Sequence, residues 1–243
     1  MGLGGVITAM VTPFDEQGRV DEDAFVRLLH HLLEHGSDGV VVAGTTGESP
    51  TLTDEEKLRL FELAVAESGD ALVIAGTGSN DTAHSVHLTE QATEIGVDAV
   101  LVVTPYYNKP NRRGIKAHFT EVARATDRPV VVYNIPGRCV IDIPDDLLRE
   151  LAEIPNIAAV KQARMTDINP IEGLDLLAGN DETLAATLDA GGTGGILVAS
   201  HIVGEEMRRM IDEPERRHEI HESLTDLFAA LSVTTNPLPV KAA

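Results

Sequence analysis

The stretch Pro129-Val130-Val131-Val132-Tyr133-Asn134-Ile135-Pro136-Gly137-Arg138 opens as an unbroken apolar, β-branched run and stops at a turn sequence. A strand with one wet face would alternate polar and apolar residues. A continuous run reads instead as a strand buried on both faces, hence as part of a parallel sheet. Similar runs occur at 5–11, 39–43, 72–75, 99–103, 157–160, 174–178 and 195–199, which makes eight. Amphipathic stretches lie between them. In 23–34, Phe25, Leu28, Leu29, Leu32 and Leu33 share one helical face. Thr53-Asp54-Glu55-Glu56 opens another helix with an N-cap and early acids. Further helical patterns cover 81–95, 114–126, 144–154 and 182–190. Eight strands alternating with helices predict a (β/α)8 TIM barrel, and 243 residues suit one such barrel. A doubly wound open sheet is the competing architecture. It usually has fewer strands and a G-x-G-x-x-G turn after the first, and that turn is missing here.

Composition narrows the function classes. Apolar residues make up 43% of the chain, enough for a sizeable core. No apolar run approaches the ~20 residues that span a bilayer, and no basic-then-apolar leader is seen, so no membrane partner and a cytoplasmic location are expected. The single cysteine, Cys139, excludes an internal disulfide and any cysteine-based zinc site. The net charge of −20 disfavours nucleic acid as a partner. Lysines number only five against fourteen arginines. An acidic excess with few lysines suits concentrated salt, where screening over ~3 Å at 1 M suppresses self-repulsion. The expectation is a melting temperature that climbs from low to molar KCl; a flat or falling curve would contradict it.

In a barrel, chemistry sits at the C-terminal ends of the strands. These ends hold all three tyrosines, Tyr106, Tyr107 and Tyr133, and one of the five lysines, Lys161, after Ile157-Ala158-Ala159-Val160. A lysine ending an apolar strand snorkels, pairs with an acid, or stays partly neutral. The last state is the nucleophile that forms a Schiff base with a carbonyl. Burial pattern alone does not choose among these. The nearby Tyr and Thr hydroxyls favour the Schiff base, because its proton transfers need a shuttle. No metal or cofactor is then expected, since a protonated imine is itself the electron sink.

Gly44-Thr45-Thr46-Gly47-Glu48-Ser49, Thr104-Pro105-Tyr106-Tyr107-Asn108, Val132-Tyr133-Asn134-Ile135-Pro136-Gly137-Arg138 and Val160-Lys161 together resemble the dihydrodipicolinate synthase / N-acetylneuraminate lyase family. Thr235-Asn236-Pro237-Leu238-Pro239-Val240-Lys241 resembles a further signature of that family. The resemblance implies a pyruvate-dependent class I aldolase in which Lys161 forms the imine. It implies Tyr133 as proton shuttle, relayed through Thr45 and Tyr107. Thr46 would hold the pyruvate carboxylate, and Gly179 and Ile196 fall on substrate-binding positions. Arg138 points to the synthase branch, where that arginine grips the carboxylate of L-aspartate 4-semialdehyde; a guanidinium fork suits a carboxylate. Read from the residues alone, Arg138 could instead be a rim arginine paired with Asp142 or Asp145. A 2-keto-3-deoxy sugar-acid aldolase and a non-catalytic barrel are the alternative functions.

The resemblance also implies partners. These are pyruvate and a small aldehyde as substrates, and a second copy of the chain, in a homodimer at least, with a tetramer as the larger alternative. Tyr106 and Tyr107 are adjacent and cannot both face their own barrel if the backbone there is extended; in relatives the second crosses to the partner's site. An effector pocket for lysine is implied near Ser49, Asn80, His84 and Tyr106, where Lys57 and His84 differ from what lysine-inhibited members often carry. Residues 1–203 are expected to form the barrel and 204–243 a C-terminal helical segment shorter than the family's. Lys161-Gln162-Ala163-Arg164 departs from the family pattern, and residues 162–178 leave room for a helix of two turns at most before Gly179. His84/His87 and His218/His221 have helical spacing that could grip a metal, but solvated helix faces are the better reading.

Overall fold

A computed structural model describes residues 2–243. Eight parallel strands close into a barrel in sequence order: β1 (Gly5–Ala9), β2 (Gly39–Val42), β3 (Leu72–Gly76), β4 (Ala99–Val103), β5 (Val130–Asn134), β6 (Ile157–Gln162), β7 (Asp175–Ala178) and β8 (Gly194–Leu197). The predicted (β/α)8 barrel is therefore the fold. The ring closes where β8 pairs with β1. Gly194 makes this possible: its φ of 156° lies outside the usual range of side-chain-bearing residues, and a Cβ there would strike the backbone of Gly5.

The helices are α1 (Glu22–Glu34), α2 (Asp54–Glu67), α3 (Thr82–Ile95), α4 (Arg112–Arg124), the single turn α5 (Pro136–Cys139), α6 (Asp145–Ala152), α7 (Leu184–Asp189), α8 (Ser200–Asp212), α9 (Arg217–Leu231) and α10 (Leu238–Ala242). The N-cap at Thr53 forms a full capping box with Glu56, as its sequence suggests. Two layers of core result. Inside the barrel, Ile7, Val41, Ile74, Leu101, Val131, Leu177 and Ile196 pack together with Tyr133. Outside it, alternate strand residues such as Val40, Val100, Val130 and Val132 meet Phe25, Leu60, Phe119 and Leu147 of the helices. Both faces of each strand are dry, which is why the runs do not alternate.

Two expectations need correcting. The β6–β7 connection carries no helix at all, not even two turns; Ile171 and Leu174 cover the barrel there from irregular chain. The division at 203/204 falls inside α8, at the non-helical Val203. Past that kink Met207 and Met210 share one buried cluster with Val6, Ala178 and Leu197, and Ile220, Leu224 and Phe228 of α9 belong to the same cluster. No helix among the described residues is long and apolar enough to cross a membrane.

Candidate active site

Lys161 is the next-to-last residue of β6, and a one-residue irregularity decides where its side chain goes. Val130 of β5 pairs with Ile157, but Val131 pairs with Ala159, so Ala158 is an extra residue on β6. Ile157 faces the helices. Strict alternation from it would send Lys161 outward too. The bulge reverses the parity, placing Ala159 in the barrel interior and Lys161 beside Tyr133, its partner in register. The ammonium nitrogen lies 4.2 Å from the centre of the Tyr133 ring. Lys161 is only 5% exposed.

This burial lowers the Lys161 pKa from 10.5 to about 7. The charge of Asp181 works against the shift and that of Arg138 adds to it. A large neutral fraction is therefore present near pH 7, as a nucleophilic amine requires. Tyr133 shifts the other way: burial raises its pKa above the ordinary phenol value, opposed by the Arg138 charge and a hydrogen bond with Thr45. Its hydroxyl thus stays protonated at physiological pH and can donate. Asp181 is itself buried, which raises it to about 6, while the backbone N–H groups of Val198 and Ala199 donate to its carboxylate at 2.9 and 3.0 Å.

Around this pair the strand ends are tied by polar bonds. The Thr104 hydroxyl donates to the Tyr133 carbonyl at 3.0 Å. The Asn134 amide donates to Asp142 at 2.7 Å and to Gln162 at 2.9 Å. Arg164 donates to Asp142 and Asp145 at 2.8 and 2.7 Å and to the Ile143 carbonyl. This accounts for Gln162-Ala163-Arg164: glutamine and arginine brace the β5 loop from β6. It also removes Asp142 and Asp145 as partners of Arg138, which points to the rim and donates to the Asn236 carbonyl at 3.1 Å.

A cavity of about 670 Å³ opens at the mouth, lined by Thr45, Tyr133 and Arg138 and extending to Ser49, Asn80 and Tyr106. Thr46 is buried beside the mouth. Ile196 is fully buried inside the barrel. Gly179 packs so tightly on Gln162 and Ala163 that a Cβ would meet atoms at 2.8 Å. Tyr107 stands apart, 87% exposed and with φ of 67°, rare for an aromatic residue. Sequence reasoning missed Asp181, which reads as one more acid at a helix start, and Asn236, whose amide donates to the Thr46 hydroxyl at 2.9 Å. The second signal was present in the Asn-Pro-Leu-Pro-Val-Lys signature but had no assigned partner.

A closed barrel with a buried, partly neutral lysine against a tyrosine at a strand end belongs to the architecture of Schiff-base lyases. The chain is a member of the dihydrodipicolinate synthetase family, which residues 2–243 match. It is similar to the 4-hydroxy-tetrahydrodipicolinate synthase of Listeria welshimeri, with 46% identity over 256 residues, 99% of this chain and 87% of the relative. The Bacillus subtilis enzyme of the same name is 45% identical over 258 residues, covering 100% of this chain and 89% of its own length. Among solved structures, the dihydrodipicolinate synthase of Cyanidioschyzon merolae with lysine bound superposes with a TM-score of 0.94 at 42% identity, covering 98% of this chain and 86% of that one.

Proposed function

We propose that this chain condenses pyruvate with L-aspartate 4-semialdehyde to give 4-hydroxy-tetrahydrodipicolinate, with Lys161 as the imine-forming residue. The observation that carries the assignment is the Lys161 amine, buried against Tyr133 and held near neutrality in a member of this family. Neutral Lys161 attacks the ketone carbon of pyruvate. Tyr133, still a phenol, donates the proton with which the hydroxyl leaves as water, and regains one through Thr45. The imine withdraws electrons from the adjacent methyl, which loses a proton to become an enamine. The enamine carbon bonds to the aldehyde carbon, whose oxygen takes up a proton. The substrate's own amine then displaces Lys161 and closes the ring. Thr46 holds the pyruvate carboxylate and Arg138 that of the aldehyde. Gly179 and Ile196 shape the pyruvate end, where the glycine leaves no side chain in the way. The test is a condensation assay with pyruvate and a panel of aldehydes. Consumption of aspartate semialdehyde supports the reading; turnover of sugar-acid aldehydes alone would replace it.

Tyr107 completes the relay from a second copy in a homodimer. Its exposed ring and left-handed backbone support this, because nothing in its own barrel receives the ring. Mixing a Tyr107→Phe variant with an inactive Lys161→Ala variant should restore activity, since one site of each mixed dimer carries neither defect. No recovery after confirmed subunit exchange would place Tyr107 in its own barrel.

Inhibition by lysine should be weak or absent. Asp54 is engaged by His84 at 2.9 Å and Lys57 at 3.3 Å, and Asp81 caps α3 through the backbone N–H of Ala83. Burial pushes the Asp54 carboxyl up, but those two bonds bring it below its ordinary value. Neither acid is free to receive an ammonium, and the Lys57 charge repels one. Half-inhibition by submillimolar lysine would refute this.

A further inference from the structure

The segment 235–242 lies across the barrel mouth and touches three strand-end loops. Asn236 is bivalent. Its side-chain amide donates to the Thr46 hydroxyl at 2.9 Å, and its carbonyl accepts from Arg138 at 3.1 Å. Five residues on, Lys241 in α10 donates to the Thr12 carbonyl at 2.8 Å and to the Glu48 carboxylate at 2.5 Å. Its ammonium also lies 4.5 Å from the centre of the Phe14 ring, a cation–π contact. Thr12 in turn donates through its hydroxyl to the Gly47 carbonyl at 2.7 Å, so the loops after β1 and β2 are joined at the point where Lys241 binds. Within the segment, the Lys241 N–H returns to the Pro237 carbonyl at 3.1 Å, linking the anchor to the turn that carries Asn236.

We infer that Lys241 is a positioning residue: it pins this strap to Thr12 and Glu48 so that Asn236 orients both carboxylate-binding groups, Thr46 and Arg138. The chemistry of the donors supports the inference. A threonine hydroxyl has one hydrogen, and accepting from Asn236 leaves it free to point at a carboxylate. Arg138 has five N–H donors, and giving one to the Asn236 carbonyl fixes the plane of the remainder. One strap residue therefore aims the group for each substrate. Lys241 holds the strap by charge-assisted bonds, which are stronger and more directional than neutral ones. Lys241 touches neither substrate position, so its effect reaches the site only through the strap.

This inference rests on the carboxylate roles given above to Thr46 and Arg138, and the experiment separates the two. The readout is the pyruvate concentration that half-saturates borohydride trapping on the protein, together with KM for the aldehyde and kcat. Lys241→Met keeps the apolar stem and removes the charge. It should raise both half-saturating concentrations by about tenfold, the scale of a lost charged hydrogen bond, with a smaller fall in kcat. Lys241→Arg should recover most of the loss. Asn236→Ala should produce a similar rise, and the Lys241→Met/Asn236→Ala double variant should be no worse than the poorer single, because both act through one contact. Glu48→Gln removes the charge of one of the anchor's two partners without touching the strap and should raise both concentrations in the same direction. Wild-type affinity for both substrates in folded Lys241→Met, or in Glu48→Gln should Lys241→Met fail to fold, would overturn the inference. So would independent, multiplicative losses in the double variant. Absence of trapping in the wild-type chain would instead overturn the Schiff-base reading itself.

Discussion

Lys161→Ala is expected to lose pyruvate trapping altogether and turnover by roughly 10⁴-fold or more, the scale on which loss of a covalent nucleophile is felt. No other lysine can substitute. Lys57 is held by Asp54, Lys241 by Thr12 and Glu48, and Lys116 by Glu150. Lys109 is exposed on the loop beyond Tyr107. The fold should persist, because the interior packing of Ile7, Leu101, Val131 and Leu177 does not depend on the amine. Steady-state rates and circular dichroism on the same preparation check both halves. A folded variant with substantial turnover would remove Lys161 from the mechanism.

Tyr133→Phe separates the hydroxyl from the ring. The ring stays against Lys161, so burial, and with it the lowered amine pKa, is retained. Only the proton donor is lost. Turnover should fall by roughly 10²-fold or more, the usual weight of a positioned acid–base group. Trapping should still occur but more slowly, since water leaves the carbinolamine without its donor. Equal rates in wild type and variant would show that another group, such as a water in the mouth, carries the proton.

The barrel was legible because both faces of its strands are dry. Uninterrupted runs such as Val130-Val131-Val132 have that one cause, and eight of them spaced by amphipathic stretches leave few alternatives. The positions of Lys161, Tyr133, Thr45 and Arg138 were legible as strand ends. What escaped depends on register and on contacts distant in sequence. The bulge at Ala158 has no local mark, since Ala158-Ala159 looks like any pair of small strand residues; yet the bulge turns Lys161 from the helix side to the interior. The absence of a helix between β6 and β7 was not legible, because chain length limits a helix without saying whether one forms. Asp181 acquires its meaning from burial near Lys161. Asn236 and Lys241 acquire theirs from loops more than 90 residues away, as the Arg138–Asn236 separation of 98 illustrates.

A Schiff base on a lysine whose pKa burial holds near neutrality can be trapped by borohydride reduction with pyruvate across pH, followed by peptide mass mapping. A single adduct on Lys161 is expected, with a trapping rate that rises with pH as the amine deprotonates and levels off above about 7. An adduct on a different lysine, or a rate still climbing toward the pKa of an ordinary exposed lysine, about 10.4, would contradict it.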